Sequence, residues 1–291
     1  MEFKLLKHYQ SDFPEVMKII ICSDNSLLLC SSKCRILKHV ISLSNVLKEM
    51  ATFNLWFIDV AQSAYGDLIF STEDSNLKVI PNGTKTVKEI PNFNVTKGRI
   101  VTIHINDERK KILVGVCMSE YNESGQVLVM DETGRHETKY QYSSTGRWLF
   151  QSPGSIATNK NNIAVVDRGD LHQKDNSGSV VILSYSDDKI LNVYKGHLNT
   201  YKSGYHPFRP FDVVSTKSNN FIISDTCVYN PILHVLNSEG QYLTYCNTKE
   251  ELGINLPSFL SIDKSGILFV GSQTYKRANH TNFYLVNVEE F

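Results

Sequence analysis

Between Arg209 and Cys246 the apolar residues fall into short runs at 211–215, 221–224, 232–236 and 241–245. Turn-forming residues part them: Lys217-Ser218-Asn219-Asn220, then Asp225 to Pro231, then Asn237-Ser238-Glu239-Gly240. Short runs rich in Val, Ile, Phe and Tyr, bounded by Asn, Ser, Gly and Pro, read as strands. Four in close succession read as one antiparallel sheet.

The same quartet recurs along the chain. Residues 153–196 hold runs at 155–158, 163–166, 180–185 and 190–194, and Asp167 ends the second run as Asp225 does. Residues 98–142 hold runs at 100–105, 112–117, 126–130 and 137–142. Residues 55–90 hold runs at 56–61, 67–71, 77–80 and 86–90, and residues 16–50 at 18–22, 27–30, 35–40 and, less clearly, 43–50. The last unit, 256–291, has runs only at 258–262, 267–270 and 283–288. Its missing strand has a candidate in "FKLLKHY", residues 3–9.

The units step by roughly 40 to 55 residues, near the period of a four-stranded propeller blade, with longer steps explained by inserted loops. A lone four-stranded sheet buries little and exposes two edges, whereas a ring gives every sheet two neighbours. The expectation is therefore an all-β, six-bladed β-propeller forming one domain over 1–291. Its blades are roughly 16–50, 55–90, 98–142, 153–196, 209–246, and 256–291 with 3–9. A β-sandwich also uses short strands, but it does not require one ordered quartet six times.

Composition narrows the function. Hydrophobic residues make up 41% and charged residues 21%, and Lys+Arg and Asp+Glu are both 30. A net charge of zero gives no support for general nucleic-acid binding, which rests on excess positive charge. The six cysteines (Cys22, Cys30, Cys34, Cys117, Cys227, Cys246) have no zinc-binding spacing and read as free, structural thiols. No stretch has the length of a signal-peptide core or a membrane span. A cytoplasmic, monomeric propeller that contacts no membrane is expected.

In "PFRPFDVV", "NNFIISD", "ILHVLNSEGQYL", "LPSFLSID" and "GILFVGS" the chain resembles the six-bladed, NHL-like propeller at the C-terminus of TRIM-NHL tripartite-motif proteins, especially the invertebrate set. The strict Asn-His-Leu signature is lacking, and "ILHVLN" is its nearest echo. In such proteins ubiquitin ligase activity belongs to a RING finger, whose Cys/His clusters this sequence does not contain. The resemblance implies a non-catalytic module that recognises a protein partner or ubiquitination substrate and needs no cofactor. It also implies RNA as the alternative partner, since single strands are bound by similar rings.

In a propeller the b–c and d–a loops open on one face. The partner-binding candidates on that face are Arg147, Trp148, Arg168, His172, Tyr205, Arg209, Tyr229, Tyr275, Lys276 and Arg277, with Tyr201 and His206 beside them. Aromatics and Arg dominate protein-binding hot spots. Trp148, Phe208 and Phe211 are expected instead to pack blade on blade. Asp167 and Asp225 are expected to accept backbone N–H bonds at turns. Arg168-Gly169-Asp170 is an integrin-type tripeptide of a kind that chance supplies. The basic stretch "ERKK" (108–111) reads as a solvated turn, and "KCRILKH" (33–39), as the third strand of blade one, turns its charges alternately outward. A third reading is a metal-dependent lactonase-like hydrolase. Its axial ligands would come from the innermost runs, which supply Asp59, His104, Asn159, Asp212 and Asp263 but no Glu.

Overall fold

A computed structural model describes residues 1–11, 16–22, 24–31, 35–43, 46–95, 97–118, 124–169, 177–197, 207–227, 230–272 and 280–289. Among these, six sheets of four antiparallel strands stand in a ring. Strand β1 (Glu2–Ser11) opens the chain. Blade one is β2 (Lys18–Ile21), β3 (Leu27–Ser31), β4 (Ile36–Leu43) and β5 (Val46–Asn54). Blade two is β6 (Val60–Gln62), β7 (Leu68–Ser71), β8 (Asn76–Ile80) and β9 (Lys88–Asn94). Blade three is β10 (Arg99–Asn106), β11 (Lys111–Cys117), β12 (Gly125–Asp131) and β13 (His136–Tyr140). Blade four is β14 (Pro153–Thr158), β15 (Asn162–Asp167), β16 (Ser179–Ser184) and β17 (Ile190–Tyr194). Blade five is β18 (Pro210–Ser215), β19 (Phe221–Asp225), β20 (Ile232–Leu236) and β21 (Tyr242–Asn247).

A single-turn helix, α1 (Thr248–Leu252), leads to blade six: β22 (Pro257–Ile262), β23 (Ile267–Ser272) and β24 (Thr281–Glu289). Strand β1 pairs with β24 from Glu2 opposite Glu289 to Ser11 opposite Thr281, and so completes the last blade. The expected closure by residues 3–9 is thus observed, on a somewhat longer strand.

The core is distributed. Each of six buried clusters joins two adjacent blades, because strands buried on both faces meet their neighbours on either side. Ile163, Val165, Val181 and Leu183 of blade four pack on Leu113, Val127 and Val129 of blade three. From the other face of blade four, Ala164, Val166, Val180 and Ile182 pack on Phe221, Ile223 and Leu236 of blade five. At the junction of blades six and one, Tyr9 and Phe283 pack with Val16, Ile19, Leu27, Leu29 and Val40. Uninterrupted burial of β15 and β20 reflects this two-sided packing; such strands read as continuous apolar runs rather than alternating ones.

Register fixes the orientation of the disc. Pro153 pairs with Asp167 and Pro210 with Asp225, so the start of each inner strand lies beside the end of the second. The d–a and b–c connections therefore open on the same face, and the a–b turns on the other. The described residues include no helix long and apolar enough to cross a membrane. The five described cysteines are buried free thiols; Cys34 lies outside the described residues.

The axial channel as the candidate functional site

The six inner strands enclose a channel. At the loop-bearing mouth it widens to a cavity of about 470 Å³, and at the opposite mouth to about 1020 Å³. Two aspartates, Asp212 on inner strand β18 and Asp59 just before inner strand β6, tie neighbouring blades together along its wall. Asp59 Oδ2 accepts the Ile103 N–H of blade three at 2.7 Å, and Lys18 Nζ of blade one donates to both carboxylate oxygens at 2.8 and 3.0 Å. Asp212 Oδ2 accepts the Leu260 N–H of blade six at 2.8 Å, and its Oδ1 accepts the Ser155 hydroxyl of blade four at 2.5 Å. Each aspartate's own N–H is received by a serine of its second strand, Ser71 at 3.3 Å and Ser224 at 3.0 Å. The two sites are one repeated device. Burial raises the Asp212 carboxyl above the usual carboxylate range, against the lowering effect of the Leu260 N–H.

Arg168 stands apart from this pairing. Its guanidinium lies over the Phe211 ring at 4.2 Å and reaches the cavity wall. Nη2 donates only long bonds, 3.4 Å to the Gly154 carbonyl and 3.3 Å to the Phe211 carbonyl. Nε is buried with no partner. Gly154 creates the space, since a Cβ there would lie 2.4 Å from Nε. Burial lowers the guanidinium's affinity for its proton, and the charges of Asp212 and Asp59 act in the other direction without contact ion pairing.

Of the other candidates, Arg147, Trp148 and Arg209 are exposed on d–a segments of the loop-bearing face and do not line the cavity. Trp148, 39% exposed, rests on Tyr142 with ring centroids 4.9 Å apart. This corrects the expectation that Trp148 packs between blades: Phe150, two residues on, occupies that core instead. Phe211 does pack between blades as expected, under Arg168 of blade four and against Phe259 of blade six. It faces the channel, edge-on to Phe259 at 5.2 Å. Phe208 is buried between blades four and five, as expected. His172, Tyr201, Tyr205, His206, Tyr229, Tyr275, Lys276 and Arg277 lie outside the described residues. Inspection of the sequence missed Trp56 at the cavity rim, with Arg35 stacked on it at 3.8 Å. It also missed the role of Lys18, whose only signal is a charge heading the run "KIIIC".

Asp167 and Asp225 accept backbone N–H groups, as expected, but from the segment entering the same blade. Asp167 takes those of Gln151 and Ser152, and Asp225 that of Arg209 along with its neighbour Cys227. Asp225 also meets His234 Nε2 at 3.3 Å, and His234 Nδ1 meets the Tyr194 hydroxyl at 2.9 Å. His234 and Asp225 are wholly buried, so this triad-like row faces no substrate and serves as an inter-blade clamp.

The residues set out for an axial metal do not converge. Asp59 and Asp212 are engaged as described, His104 Nε2 meets Thr158 Oγ1 at 2.8 Å, and Asn159 donates to the Asn219 carbonyl at 2.8 Å. Asp263 caps its own turn through Ser265 and Ile267. The basic stretches are met by partners within the fold: Lys111 pairs with Glu137 at 2.6 Å and Lys38 with Glu49 at 3.0 Å in their own blades, and Arg109 lies over Tyr185 of the next blade at 4.5 Å. Lys33 and Cys34 lie outside the described residues.

Ring count, strand order and closure define a six-bladed β-propeller. No protein-family description matches the sequence. No curated protein matches it either. Among solved structures the chain is similar to streptogramin B lyase, with TM-score 0.61 and 10% identity over 98% of each chain. It is similar to luciferin-regenerating enzyme, with TM-score 0.66 and 8% identity over 95% of this chain and 92% of that one. It is also similar to hydrazine synthase of Kuenenia stuttgartiensis, with TM-score 0.63 and 14% identity over 91% of this chain and 75% of that one. At these identities the likeness is one of fold.

Proposed function

We propose that the chain is a non-catalytic recognition propeller that takes a protein partner on its loop-bearing face, in the manner of the substrate-binding part of TRIM-NHL ligases. One observation carries the reading. That face presents two solvent-exposed aromatic anchors already held in place, Trp148 on Tyr142 and Trp56 under Arg35. Anchors fixed before contact lose less side-chain freedom on association, and Trp, Tyr and Arg are the side chains that dominate interface energy. The scaffold beneath them is stitched by the aspartate clamps, so the anchors keep their spacing.

Affinity capture from cell extract, quantified by mass spectrometry, tests the reading with wild type and the Trp56→Ala/Trp148→Ala double variant. A reproducible partner retained by wild type and lost by an equally stable double variant supports it. Partners retained equally by both proteins would defeat it.

A further inference from the structure

We infer that the cavity at the loop-bearing mouth is a binding site for a small, apolar-bodied carboxylic acid, anchored by Arg168. The inference rests on the cavity itself and stands independently of the protein-partner reading. Among the described residues, no carboxylate forms an ion pair with Arg168, whereas Lys18 beside it is fully engaged by Asp59. The guanidinium has five N–H donors. Nη2 makes two long bonds, Nε is walled in against Gly154, and no described acceptor meets Nη1. A cation in this position, held on an aromatic face at a glycine that makes room for it, has a desolvation cost and, among the described residues, no carboxylate in contact to offset it. Arginines of this kind suit planar, bidentate anions.

The surroundings choose among anions. Three carboxylates, Asp59, Glu73 and Asp212, line the cavity with three cations, Lys18, Arg99 and Arg168, so a dianion such as phosphate meets more like-charge repulsion there than a monoanion does. Phe211, Phe259, Pro153 and Trp56 supply apolar and aromatic walls. About 470 Å³ is room for a small organic molecule, and lies within the usual range for ligand pockets. A carboxylate attached to a flat or aliphatic body fits both the charge and the walls.

The test uses the intact chain and three probes: phenylacetate, its neutral amide phenylacetamide, and inorganic phosphate. Binding is read by calorimetry and by Trp fluorescence, since Trp56 is at the rim. Wild type is expected to bind phenylacetate at least about tenfold more tightly than the amide, a charge-assisted bond's worth of selectivity, and phosphate more weakly than phenylacetate. Arg168→Met should abolish the acid-over-amide preference in a variant that circular dichroism shows to be folded, whereas a merely structural arginine would leave that preference unchanged. Gly154→Ala should also abolish it by displacing Arg168.

The inference is overturned if wild type treats acid and amide alike, including no heat from either at about 10 mM, well above millimolar affinity. A preference for phosphate over phenylacetate would also overturn it. The wild-type comparison stands even if a variant fails to fold. Loss of partner capture on Trp56→Ala/Trp148→Ala, with acid selectivity retained in wild type, keeps the two proposals separate.

Discussion

Ring closure predicts a sharp difference between two substitutions on one strand. Tyr9 is 5% exposed and belongs to the cluster that welds blade six to blade one. It lies opposite Phe283, and the Lys7 ammonium sits 4.6 Å from its ring. Leu6, three residues earlier, falls where the register with β24 slips and is 52% exposed. Truncating a buried aromatic to Ala costs roughly 3–5 kcal/mol, while an exposed substitution stays within about 0.5 kcal/mol. For a domain of this size each kcal/mol moves the melting temperature by about 2–3 °C. Tyr9→Ala should therefore melt roughly 6–15 °C below wild type, and Leu6→Ala within about 1–2 °C of it. Circular dichroism or dye-based melting measures both. Removal of residues 1–11 should be more severe than either, since it bares the edge of β24 and opens the ring. Equal melting of the two point variants would show that the terminal strand is an appendage, and the closure argument would be wrong.

Tyr194→Phe should lower stability by about 1–3 kcal/mol, because the ring nitrogen of buried His234 loses its partner; denaturant unfolding measures it, and an unchanged midpoint would remove the clamp. Burial, with a smaller contribution from Lys18, holds the His104 imidazole down to about 4 against its ordinary 6.5. The unfolded chain therefore binds the extra proton between those values, and stability is full above pH 6.5 and falls as pH drops toward 4. A loss of about 1–2 kcal/mol is expected across that window after allowing for partial exposure, and His104→Asn should flatten it in melts recorded at stepped pH. Asp131, hydrogen-bonded by Thr133 and Arg135, has its carboxyl held down to about 2. Its contribution is full above the unfolded value near 3.8 and is lost as pH falls through about 2. Asp131→Asn should consequently destabilise at neutral pH and match wild type at pH 2.

The six quartets were legible because each strand is a short apolar run between turn residues, and that signal is local. An apolar run, however, reports burial and not conformation. Residues 56–61 read as a strand, yet β6 spans only Val60–Gln62; Phe57 is buried as part of a loop, wedged into the junction of blades one and two. Helix α1 was overlooked although its signals are present. Asn247 accepts the Glu250 N–H, Glu251 returns a bond to the Asn247 N–H, and Gly253 ends the turn at φ 72°. The Arg168 cavity was not legible at all. It depends on Gly154, Phe211 and Trp56 arriving from three blades, and nothing within a window around Arg168 announces that meeting. Arg168 itself was expected on a partner-binding surface loop, while the fold turns it to the cavity wall.

The pairing of Glu2 with Glu289 brings the first and last strands side by side at the rim of the a–b face, across the disc from Arg168. A short peptide joining Met1 to Phe291 would make the backbone a continuous loop, and a circular permutant cut at an a–b turn should then fold to the same wheel. For the same reason a fluorophore or surface tether attached at either end would hold the propeller with its cavity mouth turned toward solution.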